Sequence, residues 1–214
     1  GVLANIWRSQ YHTIANANNM LEWWDLNGEI VLSDSITRRM IRGEALALRA
    51  FLHFDLLRGW GPANYAADEA AKEMRCIPYR LVADHSKQPL LPAKEIVDNI
   101  IKDLKEAREC LGYEKELDLA KDLEKRYLRM NYHAVNAMLA RVYNYAGIKD
   151  SAAMHARKVI EECGLALESG NDNDPILSKE VIFGINMHEL KDNLSDYFAV
   201  GDKMTTKYYL NLDL

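Results

Sequence analysis

Apolar side chains recur at helical spacing along most of the chain. Trp7, Tyr11, Ile14, Asn18 and Leu21 step by four, three, four and three residues, so they share one face of a helix predicted over residues 6–26. Asn18 is the polar member of that stripe, and its amide is expected to bond nearby backbone. A second helix is predicted over residues 41–62, where Ile41, Ala45, Leu48, Phe51, Leu52 and Leu56 mark the buried face. Ser33, Asp34 or Ser35 can cap its start. Gly43 in its interior costs about 1 kcal/mol relative to Ala, tolerable where another helix must come close. Gly59 and Gly61 can take left-handed conformations at its end, and Pro62 cannot continue the hydrogen-bonded ladder.

Between residues 63 and 91 the periodicity stops. One short helix is expected near residue 70, after which Pro78, Pro89 and Pro92 punctuate an irregular connection. A loop of that length inside a compact domain is a candidate binding surface. Pro92 opens a third helix with Ile96, Ile100, Leu104, Ala107 or Arg108, and Leu111 on its stripe. Its other faces are charged, and Asp98 with Lys102 or Lys102 with Glu106 read as solvated helix pairs. Residues 113–126 form a polar linker with no site signal. Asn131 caps a fourth helix that Gly147 ends, with Ala134, Ala137 or Met138, Ala140 or Arg141, and Tyr145 facing the core. Asp150 caps a fifth, with Ala153, Ala156, Val159 or Ile160, and Cys163 on its stripe until Gly164. Residues 131–164 thus make a helix-turn-helix unit of tetratricopeptide length, without that repeat's Trp-Leu-Gly-Tyr consensus. The chain reads as mainly all-α, with tetratricopeptide-like antiparallel helix pairs in a right-handed array. Beyond Gly170, residues 171–175 read as a polar loop, 180–185 as a short strand or irregular segment, and 198–214 show little organisation.

With 27 Lys and Arg against 32 Asp and Glu, the formal charge of −5 gives no basic footprint for nucleic acid. No apolar run approaches the roughly 20 residues that span a bilayer. Cys76, Cys110 and Cys163 form no C-x-x-C pair and read as idle thiols. The six histidines have no metal-ligand spacing. Asn171-Asp172-Asn173-Asp174 invites a calcium reading, but Pro175 follows and the EF-hand Gly and closing Glu are missing, so an Asx turn is favoured. No phosphate loop or nucleophile elbow is present. The expectation is a protein that is not an enzyme and needs no cofactor or metal.

Five segments resemble the SusD/RagB family in order. The central one carries Gly43, Glu44, Ala45, Leu48, Arg49, Ala50, Phe51 and Phe54 before a Trp60-Gly61-Pro62 exit. Trp7, Tyr11, Ile14, Ala17, Asn18 and Leu21 are similar to the family's preceding helix. Glu95, Ile100, Asp103, Leu104 and Ala107 match the following one. Asn131, Ala134, Ala137, Leu139, Ala140, Arg141, Val142 and Tyr143 match a fourth, and Ala156, Lys158, Val159 and Ile160 a fifth. The likeness runs over about residues 7–185. It implies a tetratricopeptide-like scaffold in an outer-membrane, cell-surface lipoprotein that captures oligosaccharide, polysaccharide or peptide for a SusC-like TonB-dependent transporter. The family's signal sequence and lipidated Cys lie outside residues 1–214, so the chain is expected to be one helical domain of a longer protein, membrane-bound only through that lipid.

An aromatic face with neighbouring polar groups can hold a pyranose, whose C–H side packs on a ring. Trp60 and Tyr65 flank the long loop and Asn64 could supply the polar contact; Tyr65 is the more open of the two rings, while Trp60 can instead plug the helix hairpin. Trp23 and Trp24 cannot both face one core, so one is expected to be partly exposed, either packed under the following loop or offered as a ligand or partner platform. The rival reading is a soluble tetratricopeptide adaptor that binds a protein segment in its groove.

Overall fold

Helix α1 (Val2–Val31) runs further at both ends than its apolar stripe predicts. It belongs to a computed structural model that describes residues 1–31, 34–122, 125–167 and 178–185. Ser33 as a cap, the loop at 171–175 and the segment 198–214 lie outside those described residues. Helix α2 (Ser35–Trp60) starts at Asp34, whose carboxylate accepts from the backbone N–H of Ile36 at 3.1 Å and of Thr37 at 2.9 Å. That resolves the choice of cap. The two helices are antiparallel, since Trp7 meets Trp60, Asn18 meets Arg49 and Asp25 meets Arg42.

The end of α2 differs from expectation. Gly61 is extended, with φ −100° and ψ −176°, and Gly59 stays in the helix. Neither is left-handed. What Gly61 supplies is room, because a Cβ there would lie 2.5 Å from the Leu57 carbonyl oxygen. Gly43 does what its position suggests. A Cβ on it would lie 2.8 Å from Leu111 Cγ and 3.0 Å from Cys110 Cβ, where the end of α4 (Ala93–Cys110) crosses α2.

A four-residue helix α3 (Glu69–Lys72) and a two-stranded antiparallel ribbon, β1 (Arg75–Ile77) with β2 (Leu91–Pro92), occupy the predicted irregular connection. Strands of three and two residues are too short for alternation to show in sequence. Ile77 is fully buried and ties the ribbon to the core. The predicted linker at 113–126 holds 3₁₀ turns at Gly112–Glu114 and Leu119–Lys121, with a third following at Arg126–Leu128.

Helix α5 (Tyr132–Tyr145) is capped by Asn131, which accepts from Ala134 N–H at 2.9 Å, and its chain turns at Gly147 with φ +76°. Helix α6 (Lys149–Glu162) is capped at Ile148, which leaves Asp150 inside the first turn. Its buried stripe is Ala152, His155 and Val159, while Ala153 and Ile160 face outward. The phase is set by His155, which stacks on Tyr143 at 5.6 Å and bonds the Asn136 side-chain oxygen Oδ1 at 2.9 Å. Residues 180–185 are not a strand. After a 3₁₀ turn at Ser178–Glu180 the chain is irregular, pinned by Asn131 Nδ2 on Ile182 O at 2.9 Å and by Gly184 N–H on Tyr127 O at 2.8 Å. The described residues are mainly helical, and one core runs through α1, α2, α4 and α5.

Candidate functional site

Burying a charge is tolerable only when it is paired and hydrogen-bonded. Arg49 on α2 meets that condition. Its Nε and Nη2 each donate to Asp103 at 2.7 Å, and Nη1 donates to Asn18 Oδ1 at 3.0 Å. Asp103 also accepts from the Tyr79 hydroxyl at 2.6 Å. Burial alone would lower the Arg49 pKa, but the hydrogen bond and charge of Asp103 more than offset it and the net direction is upward. Burial, followed by the charge of Asp103, pushes Tyr79 far above the usual phenol range.

The same network grips the loop after β1. Asn18 Nδ2 donates to Arg80 O at 3.0 Å, and the Arg80 backbone N–H donates to His53 Nε2 at 3.1 Å. An amide nitrogen can only donate, so Nε2 carries no proton and the Nδ1–H donates to Arg49 O at 2.8 Å. His53 is fully buried and stacked on Tyr79 at 3.9 Å. Burial pushes its pKa down to about 3, so the ring is neutral and its tautomer fixed.

The outer side of this loop and the first half of α1 enclose an open groove of about 810 Å³. Trp7 and Tyr11 lie in its wall with ring centroids 4.9 Å apart, and the Tyr11 hydroxyl is already committed to Pro78 O at 2.8 Å. Burial raises that phenol's pKa. Arg8, His12, Arg80, Asp84 and His85 bring the charge and polarity. The Arg80 guanidinium donates to the carbonyls of Ser86 at 2.9 Å and Asp84 at 2.6 Å and to the Asp84 carboxylate at 2.5 Å. The rings that line the groove read in sequence as members of a buried stripe. The signal that pointed here was the proline-punctuated loop.

The predicted contact residues are spread over the fold. Tyr65 is buried at 5% exposure and stacked on Tyr145 at 5.0 Å, so it is not the open ring the sequence suggests. The turn at Gly147 passes close to the adjacent Ala66, where a Cβ would lie 2.9 Å from the Ala66 Cβ. Trp60 is half-buried and edge-on to Trp7 at 5.1 Å, the plug of the hairpin. Asn64 is exposed and bonds Asp68 at 3.0 Å. Trp23 is 61% exposed, whereas Trp24 turns toward α2, covers Gly28 and donates its indole N–H to Arg38 O at 3.2 Å. Trp60, Asn64 and Tyr65 lie near the end of α2, and Trp23 and Trp24 near the other end of the hairpin. The structure does not bring the five together.

A second buried ion cluster is structural. Arg126 joins Glu44 and Glu114, each at 2.7 Å, and Arg129 reaches Glu44 at 2.6 Å. Glu114 and Arg126 fall in or beside the segment that carried no site signal, and they anchor its turns to α2. Glu106, expected in a solvated pair with Lys102, instead binds Arg42 at 2.6 Å. Cys76, Cys110 and Cys163 are unpaired thiols, and burial raises the pKa of the first two. Among the described residues no three His, Cys, Asp or Glu side chains are placed to hold a metal, and no helix is long and apolar enough to cross a membrane.

A family model described as SusD-like, starch-binding associating with outer membrane, matches residues 2–144. No curated protein matches the chain. Among solved structures, a SusD superfamily protein from Bacteroides fragilis is 22% identical, with a TM-score of 0.69 over 87% of this chain and 41% of its own. One from Bacteroides thetaiotaomicron VPI-5482 is 22% identical, with a TM-score of 0.63 over 78% of this chain and 34% of its own. A laminarin-binding SusD-like protein is 20% identical, with a TM-score of 0.55 over 72% of this chain and 29% of its own. The chain therefore spans less than half the length of the structures it resembles.

Proposed function

Because the chain belongs to the SusD-like family, we propose that it is the helical part of a non-catalytic glycan-binding component of an outer-membrane uptake system. In this reading a longer, lipid-anchored parent holds the ligand at the cell surface and passes it to a SusC-like TonB-dependent transporter. The family match over residues 2–144 carries the reading. The helix pairs supply a rigid scaffold, and ligand is met at loops and helix ends. Of the five aromatic and amide positions, Trp23 and Asn64 are open enough to touch a glycan or partner, while Trp24, Trp60 and Tyr65 are engaged in packing within the fold.

Affinity electrophoresis tests this. Starch or laminarin cast into a native gel is expected to retard the protein, with no oligosaccharide product after long incubation. Trp23→Ala and Asn64→Ala, both at exposed positions, are expected to reduce the retardation without changing the thermal melt. Passage of every glycan gel without retardation, alongside tight binding of a short peptide, would instead favour a protein-binding adaptor.

A further inference from the structure

We propose that the groove between α1 and the loop after β1 is a subsite for an anionic saccharide, one that carries a carboxylate or a sulfate. The inference rests on the glycan-binding reading and narrows its ligand class. Its starting point is charge. On a chain of net charge −5, this groove presents Arg8, His12 and His85, all exposed and without a hydrogen bond or ion pair among the described residues. Arg8 and His12 stand four residues apart and so lie on one face of α1, with His85 contributed by the loop. The one carboxylate in the groove, Asp84, is already used. Its oxygens bind Arg80 at 2.5 Å and the Ser86 hydroxyl at 2.7 Å, and these bonds hold its pKa below the usual carboxylate range. No free anion in the groove opposes an incoming one.

The saccharide half of the assignment comes from the rings. Trp7 and Tyr11 offer apolar surface beside the Arg8 guanidinium and the two imidazoles, whose N–H groups can donate to an anionic oxygen, and the C–H side of a pyranose packs on such surface while Asn5 and Ser9 can meet hydroxyls. A simple anion site would have no use for two aromatic rings. The volume of about 810 Å³ lies in the usual range for small-ligand pockets. The wall is also preorganised. Arg80 is fixed by its guanidinium within the loop and by its backbone N–H and C=O to His53 and Asn18, so little order has to be imposed when ligand arrives.

Titration calorimetry on the whole chain, with trigalacturonate and a sulfated chondroitin disaccharide as probes and maltotriose as the neutral control, decides the matter. At low salt an anionic probe is expected to bind at least about tenfold more tightly than maltotriose, with most of that preference gone at about 0.5 M NaCl. The two anionic probes separate a carboxylate from a sulfate preference. Arg8→Ala combined with His85→Ala is expected to weaken the anionic probe about tenfold, leave maltotriose unchanged and leave the melting temperature unchanged, since neither side chain has a hydrogen bond or ion pair among the described residues. Equal binding of charged and neutral sugars, with a silent double variant, would overturn the anionic subsite and leave glycan binding intact. Equal binding of a short poly-glutamate peptide would remove the role of the rings and overturn the saccharide assignment. Absence of binding to every saccharide would remove the underlying reading as well.

Discussion

Replacing Arg49 with Met gives the sharpest test of how this fold is held. The Arg49 and Asp103 side chains are 9% and 6% exposed and are joined by two hydrogen bonds of 2.7 Å. Removing the guanidinium leaves Asp103 as a buried carboxylate with the Tyr79 hydroxyl as its remaining side-chain donor. It also leaves Asn18 Oδ1 without the Arg49 donor. Breaking one partner of such a pair costs about 3–5 kcal/mol, a large part of the roughly 5–15 kcal/mol that stabilises a typical domain. With a urea m-value of about 2 kcal/mol/M, the midpoint should fall by about 1.5–2.5 M. Asp103→Leu alone strands the cation and should cost a similar amount.

The double change Arg49→Met with Asp103→Leu removes both charges and is expected to recover most of the loss, because a buried ion pair gains little over well-packed apolar groups. Urea unfolding followed by circular dichroism reads all three variants. A single-variant loss below about 1 kcal/mol, or a double variant no better than the singles, would refute the assignment of a desolvated pair between α2 and α4.

Acid should destabilise the protein through its histidines. Burial pushes His53 down to about 3, and burial followed by Arg108 and Lys105 pushes His155 down to about 4, both from 6.5. The unfolded chain therefore binds protons that the native state refuses, so stability is constant above about pH 6.5 and falls as pH drops toward the folded values. The slope approaches about 1.4 kcal/mol per pH unit for each ring, and His53→Gln should flatten it in urea melts run from pH 7 to 4. Gly43→Ala should lower the thermal midpoint by about 1–3 kcal/mol equivalent despite Ala's better helix propensity, since its Cβ meets Leu111 and Cys110; a stabilised variant would refute the close crossing. Asn131→Ala removes a buried helix cap and the anchor of Ile182, at a cost of about 1–2 kcal/mol. Hydrogen exchange should rise at residues 182–184 before it rises in α5 if that anchor is what holds the segment.

What could be read from sequence was local. The stripe in α1, the Asp34 and Asn131 caps and the helix pair closed by Gly147 all depend on residues within a few turns of each other, and Gly43 shows in sequence that something comes close without showing that it is Leu111 and Cys110. In α6 the expected Val159 and Cys163 are buried, but the first half of the stripe differs: Ala153 looks apolar and faces outward, whereas the packed residues are Ala152 and His155, a polar side chain bonded to Asn136 and stacked on Tyr143. Periodicity counts hydrophobicity and cannot see a satisfied polar group. Tyr65 differs for the opposite reason: its position after Pro62 reads as loop, while the ring that stacks on it, Tyr145, lies far along the chain.

The groove was legible in half. The proline-rich connection announced a surface, but its placement depends on bonds from Asn18, Tyr11 and His53 to a loop far along the chain. Those bonds make the polar core and the groove wall a single object. Arg49 orients Asn18 and accepts from His53, and these two side chains in turn hold the backbone of Arg80. Loosening the core pair should therefore move the wall even where the helices survive. In His53→Gln combined with Asn18→Ala, hydrogen exchange at Arg80 and anionic-probe affinity should change together. Should affinity hold while Arg80 exchange accelerates, the wall does not depend on its helical anchor, and the groove owes its shape to the Arg80 guanidinium bonds within the loop alone.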